Sequence, residues 1–323
     1  MTTDGVSARV VVTDTIFPNL DQEEAAASAA SASFEGFQCK TADDVAKAVK
    51  DADVAIVQFA PFSADAVKAV KPGATVIRYG VGYDNIDVAS AREAGLKVGY
   101  VPDYCTDEVA DHTSALALSL LRKLPALDAS VRAGEWAAVK HSKPLKPFNQ
   151  TVFGFFGIGQ IGSAVLQRIR GFGFRVIAAD PGLTAQEAHA LGITLVDAHE
   201  LLATADIITC HAPATAGTIG FFNADALAKM QSHALLVNTA RGQLINEADL
   251  AEALRKGTIA GAALDVFAAE PLPEHSPLRG APGLILTPHS AWYSEAAIDR
   301  LQGLVAQDIT LALNGGDPRR PVP

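Results

Sequence analysis

The stretch TVFGFFGIGQIGSAVLQRIRGFGFRVIAAD, residues 151–180, decides how the chain is read. It opens with an apolar run, TVFGFFG (151–157), of the kind a buried parallel strand requires. Gly157-Ile158-Gly159-Gln160-Ile161-Gly162 then fits G-x-G-x-x-G and leads into a helical stretch, IGSAVLQRIRGF (161–172), that Gly171 or Gly173 closes. A second apolar run, FRVIAAD (174–180), ends in Asp180, 23 residues after Gly157. The glycine pattern alone is weak. A strand before it, a helix after it and an acid closing the next strand together predict a dinucleotide-binding β-α-β unit. Gly157 permits the tight turn, Gly159 admits a pyrophosphate to the backbone, and Gly162 lets the helix pack closely. Neighbouring N–H groups then hold the anion, with Ile158, Gln160 and Ile161 read as cofactor-binding along with the glycines. Asp180 is placed to accept hydrogen bonds from both ribose hydroxyls and to repel a 2'-phosphate, which favours NAD over NADP.

The same rhythm continues outward. AQEAHALG (185–192) reads as a helix, and ITLV (193–196), DIITCHA (206–212), ALLVNTA (234–240), IAGAALDVF (259–267) and GLILTPH (283–289) read as strands. These make one doubly wound domain. Upstream, RVVVT (9–13), VAIVQF (54–59), ATVIRYG (74–80) and LKVGYV (96–101) read as further parallel strands, with ADAVKAV (64–70) helical and AREAG (91–95) a helix end. Between the two series Thr106 is read as an N-cap, with Asp107 and Glu108 set well against the helix dipole. That helix is expected to run to Leu124 and stop at Pro125. It is apolar nearly all round, so burial on more than one face is expected. Residues 134–149 read as irregular, and 294–314 as a closing helix.

Bulk properties agree with a two-domain α/β protein, since 323 residues are many for one hydrophobic core. The formal net charge of -10 disfavours nucleic acid as a partner but leaves room for a small anion beside a local arginine. Cys39, Cys105 and Cys210 form no C-x-x-C pair, so a reducing cytoplasm is the expected setting. No leader is read in the opening residues, no run is long and apolar enough for a membrane, and the eight histidines show no metal-ligand spacing.

Reducing a 2-keto acid requires a cation for the carboxylate and ketone, a proton donor, and a carboxylate that holds the donor protonated. Arg241 follows VNTA, Glu270 follows DVFAA and His289 follows LILTP, each just after a strand, where open α/β sheets present their ligand-facing loops. A histidine beside an ionised glutamate has its cationic form favoured. Taken singly, each also reads as a turn or surface residue.

Set side by side, GVGYDNID (80–87), VPDYCTDEVADHT (101–113), GFFGIGQIG (154–162), CHAPAT (210–215), VNTARGQLINEADL (237–250), ALDVFAAEPLP (263–273) and TPHSAWYSE (287–295) resemble the D-isomer-specific 2-hydroxyacid dehydrogenase family. PDYCTDEVADHT and HSAWYSE are most like its C-terminal binding protein branch. The resemblance implies two Rossmann-like domains: an NAD-binding domain over 107–295, inserted into a flavodoxin-like substrate domain made of 1–106 and 296–323, with the active site in the cleft. It implies Arg241 as the substrate-binding arginine, Glu270 as the orienting acid, His289 as the proton donor and Asp265 as the acid facing the nicotinamide carboxamide. Val81 and Gly82 would hold the substrate carboxylate through their amides, with Arg78 nearby, although Val81 lacks the hydroxyl some members carry there. Thr113, Cys210, His211, Ala212, Pro213, Thr218, Thr239 and Ala240 fall on cofactor-contacting segments, Cys210 as a packing residue. Trp292 either walls the substrate pocket, and so touches cofactor and substrate, or packs with Tyr293 between domains. Family members are usually homodimers through the cofactor domain, which the apolar 109–124 helix suits. Two other readings remain: an NAD(H)-sensing protein-interaction module, and a phosphoglycerate dehydrogenase. Against the latter stand the short run of chain after His289 and the lack of basic residues near 78–84 beyond Arg78.

Overall fold

The computed structural model describes residues 7–323, so the opening residues read for a leader lie outside the described residues. Backbone contacts divide the chain into two units: residues up to Cys105 with Ser294–Pro323, and Thr106–Tyr293.

In the first unit five short strands, β1 (Arg9–Val12), β2 (Ser33–Gly36), β3 (Val54–Val57), β4 (Thr75–Arg78) and β5 (Lys97–Tyr100), alternate with α1 (Asp21–Ala29), α2 (Ala42–Ala48), α3 (Ala64–Ala69) and α4 (Val88–Glu93). All pairings are parallel, and the order β2-β1-β3-β4-β5 is the flavodoxin-like one. Strand β3, VAIV, is buried on both faces, as helices on either side of a parallel sheet demand. Strand β2, SFEG, carried no apolar signal because it is an edge strand with mostly exposed residues.

The second unit begins with α5 (Thr106–Leu121), α6 (Leu124–Arg132) and α7 (Ala138–Ser142). It continues through β6 (Val152–Phe156), α8 (Gln160–Ile169), β7 (Arg175–Ala179), α9 (Ala185–Ala190), β8 (Thr194–Leu195), α10 (Ala198–Thr204) and β9 (Ile207–Cys210). Then follow α11 (Ala224–Lys229), β10 (Leu235–Asn238), α12 (Glu247–Lys256), β11 (Gly261–Leu264) and β12 (Leu284–Leu286). The parallel order β12-β11-β10-β9-β6-β7-β8 reverses direction between β6 and β9, the switch point beside which doubly wound sheets bind ligands. The closing helix α13 (Glu295–Leu313), N-capped by Ser294, belongs to the first unit and packs on α1. Among the described residues no helix is long and apolar enough to cross a membrane.

Three local expectations need correction. The helix starting near Thr106 ends at Leu121, not Leu124, and Pro125 starts α6 rather than stopping α5. Proline is tolerated in a first helical turn, where its missing N–H has no intrahelical partner to lose. The break comes upstream, where Lys123 turns left-handed at φ 53°. Thr106 is the first residue of α5, not its cap, and its hydroxyl accepts from Gln160 Nε2 at 2.9 Å. Residues 134–149, read as irregular, hold the short helix α7. As expected, α5 is buried on several faces, against α8, β9, β10 and β11 of its own unit. The helix after the glycine loop is closed by Gly173 at φ 76°, not by Gly171.

Candidate active site

The glycine loop leaves β6 through Gly157, whose φ of 81° is open to glycine and whose N–H is donated to Ala179 O at 2.9 Å. A Cβ there would lie 2.8 Å from the Ala212 nitrogen, so glycine is what lets the 210–212 segment close against the loop. Gly159 caps α8 with no side-chain hydrogen bond, and a Cβ built on it meets nothing within 4 Å. An uncapped helix N-terminus facing open space is what a pyrophosphate requires, so the residues present fit the diphosphate of a dinucleotide. Asp180 has a second task that its spacing did not disclose. Its Oδ2 accepts from Ile158 N at 2.8 Å and its Oδ1 from Gly182 N at 2.8 Å, which ties the strand end to the loop. A carboxylate has acceptor sites left over for hydroxyls.

The other cofactor candidates converge on this loop unevenly. His211 donates its backbone N–H to Phe156 O at 2.8 Å, and its Nε2 meets Thr209 Oγ1 at 3.0 Å. Loss of water around its ring pushes the imidazole pKa down to about 3, so it stays neutral. Cys210 is fully buried and burial pushes its thiol up, which makes it a packing residue. The Thr218 hydroxyl folds 213–218 by donating to Pro213 O at 2.5 Å and accepting from Thr215 N at 2.8 Å. Thr113 and Thr239 are buried and share a 2.6 Å hydroxyl contact.

Arg241, Glu270 and His289 follow β10, β11 and β12, three neighbouring strands, at their carboxyl ends. Asn238, fully buried at the end of β10, shapes the arginine turn. Its Oδ1 accepts from Ala240 N at 3.0 Å and its Nδ2 donates to Arg241 O at 2.8 Å. Arg241 Nη1 reaches Ala240 O at 2.7 Å. At Gly242 an added Cβ would sit 1.9 Å from the Phe267 carbonyl carbon, so the arginine turn lies hard against the loop that carries Glu270. Glu270 Oε1 accepts from Phe267 N at 2.9 Å, and its Oε2 holds His289 Nδ1 at 2.6 Å. The His289 side chain is 43% exposed, and its Nε2 has no protein partner among the described residues. With Nδ1 engaged by a carboxylate, the arrangement can hold a proton at Nε2 and present it outward.

Asp265, which the resemblance sets against the nicotinamide carboxamide, is fully buried. Its oxygens accept from Thr287 Oγ1 at 2.6 Å, Ser290 N at 2.9 Å and Ala291 N at 2.9 Å, so it organises the histidine loop. Trp292 points its indole N–H at His289 O, 2.8 Å away, and meets Tyr293 edge-on. Arg78, Val81 and Gly82 belong to the first unit, where the Arg78 guanidinium donates to Tyr79 O and Gly80 turns at φ 146°. Asn238 was missed by sequence reasoning, although a lone amide within the buried run LLVN was a usable signal. A cavity of about 390 Å³, lined by Lys123, Asp206, His233, Leu235 and Leu284 among others, opens at the amino ends of the strands and shares no residue with these loops.

The family model for the NAD binding domain of D-isomer specific 2-hydroxyacid dehydrogenases matches residues 114–291. The chain is 38% identical over 277 residues to the D-3-phosphoglycerate dehydrogenase of Methanocaldococcus jannaschii, covering 85% of this chain and 52% of that protein. It is 34% identical over 275 residues to the glyoxylate reductase of Korarchaeum cryptofilum, covering 84% and 82%. The chain thus spans about half the length of several phosphoglycerate dehydrogenases it matches. The crystal structure of a glyoxylate reductase from Paecilomyes thermophila aligns with a TM-score of 0.86 at 28% identity, covering 98% of each chain.

Proposed function

Since the chain belongs to the D-isomer specific 2-hydroxyacid dehydrogenase family, we propose that it interconverts a small 2-keto acid and its D-2-hydroxy acid with NAD(H). The observation that carries this is the 2.6 Å bond from Glu270 to His289 Nδ1, with Nε2 left facing outward. Bound NADH would supply the hydride that reduces C2. His289 gives its Nε2 proton to the keto oxygen and takes one back in oxidation, while Glu270 holds Nδ1 and so fixes the ring's orientation and tautomer. Arg241 pairs its guanidinium with the substrate carboxylate and polarises the ketone. On the first unit, the amides of Val81 and Gly82, with Arg78, are the further candidates for binding a substrate carboxylate. Asp180 selects NAD over NADP. The Gly159 loop and the amino end of α8 hold the diphosphate.

A homodimer is also part of the proposal. Leu124 and Val131 on α6, Trp136 in the segment that follows and Val139 on α7 are exposed, with Trp136 at 93%. Apolar groups gathered on one segment are what a partner copy buries. The apolar residues of α5, which first suggested dimerisation, are consumed inside their own unit. Three free cysteines suit the reducing cytoplasm.

The test is turnover of a panel of 2-keto acids with NADH, together with D-3-phosphoglycerate and NAD. Reduction of at least one keto acid is expected. Binding of NADH with no turnover across the panel would instead establish an NAD(H)-sensing module. Preference for D-3-phosphoglycerate would establish the phosphoglycerate reading, which the identity to the Methanocaldococcus protein supports.

A further inference from the structure

His289 adopts φ 51°, a left-handed backbone uncommon for any residue but glycine, although histidine, asparagine and aspartate occupy it more often than other side chains. Such a conformation persists only where neighbours hold it. On the amino side, His289 N donates to Asp265 O at 2.8 Å and to Thr287 O at 3.1 Å. Beyond it, Ser290 N and Ala291 N are both held at 2.9 Å by the buried Asp265 carboxylate. That carboxylate is itself steadied by the Thr287 hydroxyl, which His112 Nε2 meets at 3.1 Å. These bonds account for every amide of the loop from 289 to 291. They leave the His289 carbonyl, and the indole N–H of Trp292 fills that place at 2.8 Å. The peptide plane between His289 and Ser290 is therefore gripped at both ends, its N–H by Asp265 and its C=O by Trp292.

We infer that Trp292 is a positioning residue for His289: its indole N–H locks the left-handed peptide so that the imidazole stays seated on Glu270 with Nε2 toward the substrate. The inference rests on His289 being the proton donor. It differs from a pocket wall in what it predicts. A wall acts through ring size and discriminates among substrate side chains, whereas a lock acts through one N–H and alters every substrate alike.

Trp292→Phe keeps an aromatic ring and removes the N–H. Across keto acids of different side-chain size it is expected to lower kcat by a common factor of about 3–10, the worth of one hydrogen bond, with KM and the NADH Kd within twofold of the parent. In a His289→Ala background the same change is expected to have no further effect, because Trp292 acts through the imidazole. A parental kcat, or an effect confined to KM that scales with side-chain size, would overturn the inference. A readout independent of turnover is the downfield proton signal of His289 Nδ1, identified by its disappearance in His289→Ala. It is expected to weaken in Trp292→Phe, and an unchanged signal counts against the lock even if no keto acid is reduced. Absent turnover with that signal lost in Trp292→Phe would leave the lock standing and sink the proposed reaction instead.

Discussion

The imidazole of His289 has two nitrogens in different surroundings: Nδ1 lies 2.6 Å from Glu270, and Nε2 has no protein partner among the described residues. Removing the ring should therefore remove proton transfer and little else. His289→Ala is expected to lower kcat by a factor of roughly 10²–10⁴ while NADH still binds, as steady-state kinetics and a fluorescence titration would read. Near-parental turnover would end its assignment as proton donor. Asp180 is a more complicated case, because it serves the fold and the cofactor together. Asp180→Ala should relax the preference for NAD over NADP, measured as the ratio of kcat/KM for the two, and should also lower the melting temperature, since the Ile158 and Gly182 amides lose their acceptor. A lower melting temperature with an unchanged cofactor ratio would leave only the loop-fixing role.

Among the elements, the three turns after β10, β11 and β12 behave as one piece. Gly242 joins the first to the second through a backbone approach that leaves no room for a methyl group. Gly242→Ala is expected to cost at least about 1–3 kcal/mol in urea unfolding, because the Phe267 backbone must move. It should also lower kcat, because that loop carries Glu270. A stable variant with full activity would show that the two turns move independently. These turns were legible as positions after strands, since apolar runs and the residues following them are local features. Their internal bracing was not. The role of Asn238 in shaping the arginine turn depends on burial at the end of β10, and the role of Asp265 depends on β12 lying beside β11. The α5–α6 junction shows the same limit. A proline is compatible with either end of a helical stretch, and the left-handed Lys123 that sets the break carries no sequence mark.

For the whole molecule, the exposed apolar residues of α6, α7 and the segment between them carry the expectation of a dimer. Trp136→Glu puts a charge in the middle of that apolar set, so it should shift sedimentation from dimer to monomer at micromolar concentration. Sedimentation as a monomer before the change would show that this surface serves something else. The alternation of strands and helices, the doubly wound class and the glycine loop with its closing acid were legible in sequence alone, from hydrophobic period, backbone permissiveness and spacing within a few tens of residues. Spacing marked Arg241, Glu270 and His289 only as residues after strands, and their proposed roles came from the family resemblance. Tertiary structure alone decided that residues 19 apart in the chain, Glu270 and His289, hydrogen bond at 2.6 Å. It also decided that Asp265 turns inward to hold the histidine loop and that Trp292 closes on the histidine carbonyl. The physical reason is that strand order and burial fix which loop ends meet and which polar groups must be satisfied, and both are properties of the packed sheet rather than of any one segment.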